Sequence, residues 1–333
     1  MACGSMFIPE KGIAILTHHR GKNVIMQQIS EILVPITCTE ALCDPRQLSL
    51  SLQLAGACNA HLRFMVFEEN IPQLVGPIPL DAGLLKKNRA QECQIVLDAC
   101  LAQAREAGLH ATADLVWGNP INRLIQEIQH HRVDLVVKSA EYHRFLGCRR
   151  LSGNDISVLR LSVAPVLLLA EEPPDHPVTL KTLLVAVDIS PDNEALNIRL
   201  LEWGRQLAEL QQTRLHAVHT WRLIGEDYMT RARYHAPLKL HARLENILKT
   251  DHMKRFQHLL ASAGLTHGEN VTAHLVRGRA SEEICRLNEE LDVDLMIMGT
   301  HARRGLEKFM IGNTAENVAA NVKSSLLIVR PDH

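Results

Sequence analysis

The sequence repeats itself, and the repeat limits the chain to a small set of folds. The stretch ADLVWGNPINRLIQEIQHHRVDLVV, which starts at Ala113, matches AHLVRGRASEEICRLNEELDVDLMI, which starts 160 residues later at Ala273. Farther out, ILVPIT from Ile32 matches LLVAVD from Leu183, and PVLLLAEE matches SLLIVRPD. A long repeat is one structural unit used twice, so the two copies are predicted to share one architecture.

Apolar runs and helical patterns alternate in the same order in both copies. The predicted first strands are residues 32–37 and 182–189, and the helices that follow them are residues 44–57 and 193–210. Strands that are apolar on both faces and alternate with helices predict an α/β, Rossmann-like fold, with a doubly wound, five-stranded parallel sheet in each copy. Ligands of such folds bind beyond the carboxyl ends of the strands, where the strand order reverses.

The segment EEPPDHP, residues 171–177, separates the two copies. Stacked prolines and acidic residues continue neither a helix nor a strand. The chain is therefore predicted to contain an N-terminal extension (1–28), a first domain (29–172), a linker (173–178) and a second domain (179–333).

Composition narrows the classes of function. With 46% apolar and 22% charged residues, the chain has the composition of a globular protein. A net charge of −1 gives no overall basic field that would favour nucleic acid. No apolar run approaches the roughly 20 residues that span a bilayer, and the start of the chain lacks the pattern of a secretory signal. We therefore expect a cytoplasmic protein with no nucleic-acid partner and no membrane span.

Cysteines and histidines are numerous but scattered. The eight cysteines include no CxxC pair, which predicts buried free thiols rather than disulfides. The 18 histidines include no HExxH spacing, so no metal site is predicted and the histidines are expected to be solvated or hydrogen-bonded. A zinc site built from histidines that are distant in the sequence stays open at this point.

A glycine-containing loop follows the fourth strand of the second copy. It reads GTHARRGLEKFMIGNTAENV, from Gly299 to Val318, and lies between an apolar run and a predicted helix. Backbone N–H groups and the dipole at a helix N-terminus favour an anion in such a place. The same pieces occur wherever a parallel strand leads into its crossover helix. The loop alone therefore does not decide between a phosphate site and a plain turn.

The second copy resembles a universal stress protein domain. The segments that carry the resemblance occur in the family's order: LLVAVDIS, LHAVHTW, LVRGRASEEI, VDLMIMGTHARRGLEKFMIGNTAENV and SLLIVRP. From Glu31 to Pro331, the chain resembles a tandem universal stress protein, similar to the bacterial E-type subgroup. The resemblance implies two adenine nucleotide alpha-hydrolase-like domains, paired as an internal pseudo-dimer, in a non-enzymatic stress-response protein.

The resemblance also implies where a nucleotide would bind. In nucleotide-binding members the loop runs glycine, two residues, glycine, nine residues, glycine, then serine or threonine. Here the middle glycine is replaced by Ala302 and the hydroxyl residue by Asn313. The family's aspartate at the end of the first strand corresponds to Asp188, and a carboxylate there can accept hydrogen bonds from ribose. The implied cofactor-binding residues are Asp188, Thr220, Met298, Gly299, Ala302, Gly312, Asn313 and Thr314.

The chemistry of these positions leaves two readings of the loop open. Gly299 and Gly312 would let the backbone come close to a phosphate, and glycine tolerates a positive φ. Ala302 would narrow that space, at a cost of about 1 kcal/mol if its position needs a left-handed backbone. Asn313, with Glu316 three residues later, is a capping pattern that would satisfy the helix without any ligand.

The first copy lacks this frame. Thr37 stands where the second copy has its aspartate, and Lys138 ends the fourth strand. The loop positions of the three glycine-frame residues are taken by Ser139, Tyr142 and Ser152. Arg149 and Arg150 are expected to be solvated. The first copy is therefore predicted to be a packing partner, or to have a different ligand.

Three classes of function stay open at the level of sequence. One is a non-enzymatic stress protein that binds ATP, together with Mg²⁺, in the second copy. Another is a stress protein with a relic loop that binds a hydrophobic ligand or a metal. For that class the connections 71–85 and 223–237 would line a pocket, although plain packing explains them as well. The third is slow ATP hydrolysis, although no loop residue suits the orientation of water. A homodimer and protein partners of unknown identity also stay open.

Overall fold

The computed structural model describes residues 25–38, 43–71, 74–75, 78–79, 81–145, 148–171, 178, 180–223, 238–267, 271–300 and 312–331. The elements of the first copy are β1 (Glu31–Ile36), α1 (Pro45–Cys58), β2 (His61–Glu68), β3 (Leu74–Val75), β4 (Ile78–Pro79), α2 (Ala82–Glu106), β5 (Ala111–Trp117), α3 (Pro120–His130), β6 (Leu135–Ser139), β7 (Tyr142–Phe145), β8 (Cys148–Leu151), α4 (Gly153–Leu161) and β9 (Val166–Leu169). Those of the second copy are β10 (Thr182–Ala186), α5 (Glu194–Gln211), β11 (Arg214–Trp221), α6 (Leu238–Ser262), β12 (Thr272–Arg277), α7 (Ala280–Glu290), β13 (Leu295–Gly299), α8 (Asn313–Asn321) and β14 (Ser325–Val329). Short 3-10 turns cover Met26–Gln28 and Pro191–Asn193.

Ten strands form one continuous sheet, in the order β12-β11-β10-β13-β14-β9-β6-β1-β2-β5. Each copy contributes five parallel strands, ordered third, second, first, fourth, fifth, which confirms the predicted α/β fold class. The copies meet at their fifth strands, β14 and β9, which pair antiparallel with Leu327 opposite Leu167. The sequence predicted two separate sheets and gave no sign of this joint between them.

Local hydrogen bonds explain why the two copies fold alike. At the start of β6, Asp134 accepts from the N–H groups of Ser30 and Glu31 through Oδ2, at 2.8 and 3.0 Å. In the second copy, Asp294 accepts in the same way from Lys181 and Thr182, at 2.7 and 2.8 Å. A carboxylate that holds two N–H groups fixes the register of the first strand against the fourth in each copy.

The two faces of the sheet carry two apolar layers, and both layers run through both copies. Helices α1, α2, α5 and α6 cover one face, and α3, α4, α7 and α8 cover the other. Helix α5 lies so close to the sheet that a Cβ on Gly204 would come within 2.6 Å of Val185 Cγ2. Because the layers are shared, the core does not divide where the repeat does.

The described end of the predicted extension packs against both copies. Ile25, Met26 and Ile29 are buried. The turn contacts α1, and Met26 N–H donates to Oε1 of Gln206 on α5 at 2.7 Å. Residues 1–24 and 172–177 lie outside the described residues, and the three predicted boundaries, after residues 28, 172 and 178, stay predictions.

Two connections differ from the sequence-based expectation. The loop of the first copy that was predicted to be irregular contains the antiparallel hairpin β7–β8, which packs against α8 of the second copy. The apolar connection at 71–85 contains the short hairpin β3–β4, and its last residues belong to α2, where Leu84 and Leu85 are exposed. Most of the connection 223–237 lies outside the described residues. No helix in the described part of the chain is long and apolar enough to cross a membrane.

Candidate functional site

A cavity of about 770 Å³ opens at the carboxyl ends of β10, β11 and β13, beside the first turn of α8. This is where the strand order of the second copy reverses, the place at which open α/β sheets bind ligands. The sequence-predicted residues that line it are Asp188, Thr220, Met298, Gly299, Gly312, Asn313 and Thr314. The eighth, Ala302, lies outside the described residues. Residues up to 126 positions apart in the sequence, from Asp188 to Thr314, are thus brought together.

Gly299 is required by helix packing rather than by backbone freedom. It ends β13, and a Cβ there would lie 2.7 Å from Leu196 Cδ2 and 3.3 Å from Leu200 Cδ1, both on α5. The first of these contacts is shorter than real Cβ atoms show and the second is tight, so at least the Leu196 side chain would have to shift. The sequence-based reason, close approach of the backbone to a phosphate, stays a prediction; the structure adds the contact with α5, and Gly299 does not have a positive φ.

Gly312 has a φ of 88°, a conformation that favours glycine, and it is the N-cap of α8. The expected Asn313–Glu316 cap does not form, because Asn313 is already helical and no described side chain caps this helix. Glu316 instead pairs with Arg160 of α4, across the joint between the copies. The first turn of α8 lines the cavity, and its N–H groups have no side-chain acceptor among the described residues, which suits an anion.

Asp188 also lines the cavity and is exposed, and its carboxylate is held by its neighbours. Its Oδ1 accepts from the N–H and the hydroxyl of Ser190, at 3.1 and 2.8 Å. Its Oδ2 accepts from Nδ2 of Asn193 at 2.9 Å. The main chain of Asp188 exchanges two hydrogen bonds with the buried side chain of Asn197. Neither asparagine was singled out from the sequence, because an asparagine at the start of a helix is an ordinary capping residue.

A pair of stacked histidines lies behind the cavity. Nδ1 of buried His219 is 3.1 Å from the Val187 carbonyl oxygen, so it carries a proton and donates. Its Nε2 then accepts from Nδ1 of His252 on α6, at 2.9 Å. Burial lowers the pKa of both histidines below their ordinary value, and proximity to His252 lowers the pKa of His219 further. Both rings are therefore neutral near pH 7.

The histidine pair predicts a loss of stability in acid. Because the folded-state pKa values are lowered, unfolding takes up protons at pH values below the ordinary histidine pKa of about 6.5. We expect the free energy of unfolding to have its highest value above that pH and to fall as the pH drops through the lowered pKa values. Replacing His252 with Gln keeps a donor for His219 and should flatten this fall, as measured by urea unfolding between pH 5 and 8. His258→Gln, on an exposed turn of the same helix, is the control; equal slopes in both variants would contradict the prediction.

In the first copy, the equivalent place is filled by the chain's own groups. Lys138, which corresponds to Met298, directs Nζ to Asp155 Oδ1 at 2.9 Å. Asp155 is fully buried, and its Oδ2 accepts from the N–H of Glu141 at 2.6 Å. Ser152, which corresponds to Gly312, caps α4 through a 3.0 Å hydrogen bond from Asp155 N–H. A carboxylate and a hydroxyl thus occupy the helix N-terminus that stays uncapped in the second copy.

Metal ligands do not cluster in the described part of the chain, where no group of three or more His, Cys, Asp or Glu side chains could hold an ion. Of the cysteines that the structure describes, Cys38, Cys93 and Cys100 are buried, as predicted. Cys43, Cys58 and Cys285 are half-buried, and all six are free thiols.

Comparison with known proteins places the chain in a family. The model of the universal stress protein family matches residues 179–330, the second copy. Universal stress protein E of Salmonella typhi is 32% identical over 238 residues, which are 68% of this chain and 70% of that protein. The chain belongs to the universal stress protein family. Universal stress protein E of Escherichia coli (strain K12) is 31% identical over 237 residues, 68% of this chain and 70% of that protein. The resemblance to the E-type subgroup is thereby confirmed.

Solved structures match the chain across both copies. A protein of unknown function from Pseudomonas aeruginosa PAO1 aligns with a TM-score of 0.67 and 23% identity, over 92% of this chain and 94% of that one. A universal stress protein from Archaeoglobus fulgidus DSM 4304 aligns with a TM-score of 0.59 and 17% identity, over 91% and 97% of the two chains. At these identities the likeness shows the fold, which agrees with the ten-stranded arrangement above.

Proposed function

We propose that this universal stress protein binds one adenine nucleotide, ATP with Mg²⁺, in the cavity of its second copy. The observation that carries the proposal is the uncapped N-terminus of α8 behind Gly312, which lines the cavity. Such a terminus favours phosphate through its N–H groups and its dipole. Asp188, which also lines the cavity, supplies the acceptor for the nucleoside end, and the cavity has the volume of a small-molecule site.

The protein acts by binding rather than by turnover. The titratable side chains among the described residues of the cavity are Asp188 and His219. Both ring nitrogens of His219 are used in hydrogen bonds, so it has no lone pair left to accept a proton from water. Asp188 is assigned to the nucleoside, whereas the phosphates are assigned to α8. Neither group is suited to act as a general base on a terminal phosphate. We therefore assign the protein a role as a ligand-dependent stress protein, with nucleotide occupancy as its signal.

Calorimetric titration of the full-length protein with Mg·ATP tests this assignment. We expect one site per chain, and Asp188→Ala should weaken binding by about tenfold or more, since hydrogen bonds to charged groups contribute roughly 1.5–3 kcal/mol. The matched control is Thr37→Ala, at the equivalent position of the first copy, which should bind as the wild type does. Ala302→Gly should bind at least as tightly as the wild type, because it restores the family's middle glycine.

Two results would contradict the assignment. One is a wild-type protein that gives no heat with Mg·ATP while Ala302→Gly does, which would make the loop a relic. The other is steady phosphate release that Asp188→Ala abolishes, which would make the protein an enzyme.

A further inference from the structure

Two cysteines of the first copy lie together near the carboxyl end of its first strand. Cys38 follows β1, and Cys93 belongs to α2, the helix that comes after the second strand. Their side chains are 4% and 0% exposed and lie in the same apolar layer. The thiol of Cys38 donates a hydrogen bond to the sulfur of Cys93. Contact between two free thiols is the first requirement for a disulfide.

A salt bridge connects the two cysteines a second time. Nη2 of Arg89 donates to the Cys38 carbonyl oxygen and to Oε1 of Glu68, both at 2.7 Å. The same Oε1 accepts from the Sγ of Cys93 at 3.9 Å. Arg89 thus joins the backbone of one cysteine to the carboxylate that contacts the thiol of the other. The side chains of Arg89 and Glu68 are 33% and 20% exposed, so a solute meets the salt bridge before the thiols.

The groups around the pair determine which thiol loses its proton first. Burial raises the pKa of Cys38 to about 12, and contact with Cys93 adds to this effect. Burial raises the pKa of Cys93 too, and the hydrogen bond that it receives from Cys38 opposes this increase. The carboxylates of Glu68 and Glu92 raise the pKa of Cys93 further, and Arg89 lowers it. Cys93 is therefore the first nucleophile of the pair, and its reaction near pH 7 needs a proton acceptor because little thiolate is present.

The fold that both copies share does not require this pair of thiols. Ile189 stands where the first copy has Cys38. Helix α6, which corresponds to α2, contains no cysteine. The second copy therefore folds in the same way without a thiol at either place, and the pair belongs to the first copy alone.

We propose that Cys38 and Cys93 form an oxidation site, which closes to a disulfide when the protein meets hydrogen peroxide. Peroxide is small and uncharged, which suits a pair of thiols buried behind a salt bridge. Glu68 is assigned as the proton acceptor of Cys93, because it is the carboxylate in contact with that thiol. The site gives the first copy a chemistry of its own, which does not depend on the nucleotide proposed for the second.

The reaction balances with peroxide as the oxidant. Glu68 accepts the proton of Cys93 while the Cys93 sulfur attacks one peroxide oxygen. The S–O bond forms, the O–O bond breaks, and the departing hydroxide takes up that proton and leaves as water. The sulfur of Cys38 then attacks the sulfenic acid of Cys93, so that an S–S bond replaces the S–O bond. The hydroxide released in this step takes the proton of Cys38 and leaves as a second water. The two thiols are oxidised by two electrons and peroxide is reduced.

Peptide mapping of the full-length protein tests the proposal. The reduced protein is treated with millimolar hydrogen peroxide, the remaining thiols are alkylated, and the products are identified by mass spectrometry. We expect a peptide pair that contains Cys38 and Cys93 and that dithiothreitol separates. Thiols that stay reduced at both positions would overturn the proposal, as would a sulfinic acid on Cys93 with no link to Cys38.

A second pair of thiols in the same layer makes the choice of protease important. The thiols of Cys43 and Cys100 also hydrogen-bond to each other. Cleavage after glutamate and aspartate residues places all four cysteines on separate peptides, which trypsin does not. A link between Cys43 and Cys100 in place of the expected one would overturn the proposal.

The rate of disulfide formation tests the role of Glu68. Glu68→Gln should slow the reaction by about tenfold or more, because an amide does not accept the proton. Glu92→Gln is the matched control, since Glu92 accepts from the same Arg89 at 3.0 Å, and it should not slow the reaction. Equal slowing in both variants would overturn the assignment of Glu68. A rate that is the same in all three proteins and increases with urea would show that only the unfolded chain is oxidised, and the proposal would fail.

Discussion

Replacing Lys138 with Met is expected to lower the free energy of unfolding by about 3–5 kcal/mol, the usual cost of removing one partner from a buried ion pair. Lys138 and Asp155 have side chains that are 9% and 0% exposed, so the carboxylate left behind is shut off from water. Chemical denaturation of the purified protein measures the loss. Arg255→Met is the control, because its 2.9 Å pair with Asp251 is half-exposed and such pairs contribute less than about 1 kcal/mol.

Two further measurements separate the ion pair from ordinary packing. The double variant Lys138→Met/Asp155→Ala should recover most of the loss, because it copies Met298 and Ala315 of the second copy. Burial already raises the pKa of Asp155, against the opposing effect of Lys138, and without the lysine the pKa rises further. The folded variant then holds a proton that the unfolded chain gives up, so its deficit should grow as the pH rises and shrink in acid. A deficit that is independent of pH and persists in the double variant would show that the lysine matters only for its packing.

Shortening Leu327 to Ala is expected to lower the free energy of unfolding by about 2–5 kcal/mol, the range for deleting a buried leucine. Leu327 is fully buried in β14 and lies opposite Leu167 of β9 in the antiparallel joint. Because the apolar layers run through both copies, backbone amides in both copies should lose their protection against hydrogen exchange together. Hydrogen exchange followed by mass spectrometry measures this on peptides from each copy. Leu244→Ala, at an exposed position of α6, should change stability by no more than about 0.5 kcal/mol. Peptides of the first copy that keep wild-type protection in Leu327→Ala would contradict a shared core.

Local patterns in the sequence were enough to predict most of the helices and strands. The predicted bounds of residues 32–37, 44–57 and 193–210 each differ by one residue from those of β1, α1 and α5, because each element is a patterned run between clear breaks. The joint between β9 and β14 had no such signal, since it depends on pairing between two sheet edges 160 residues apart. Pairing of this kind is decided by the tertiary structure rather than by local preference.

The candidate site, too, was predictable from the sequence only in part. Its positions were predicted because the repeat and the family resemblance fix them, and seven of them line one cavity. The roles of two were misjudged. Asn313 reads as a cap, yet Gly312 takes that position because its positive φ turns the chain into α8 one residue earlier. Glu316 completes a capping pattern in the sequence, yet Arg160 of the other copy draws it away. The backbone conformation of Gly312 in one case, and the ion pair with Arg160 in the other, replaced the helix cap that the sequence spacing suggested.

The antiparallel joint also determines how the two copies are oriented relative to each other. The strands of the two copies run in opposite directions on either side of this joint. The carboxyl ends of the strands therefore lie at opposite edges of the sheet in the two copies. At the carboxyl edge of the second copy the described residues line a cavity, and in the first copy an internal lysine–aspartate pair fills the equivalent place. We expect the proposed nucleotide to bind with a Hill coefficient of about one, because among the described residues the equivalent place of the first copy is filled by Lys138 and Asp155.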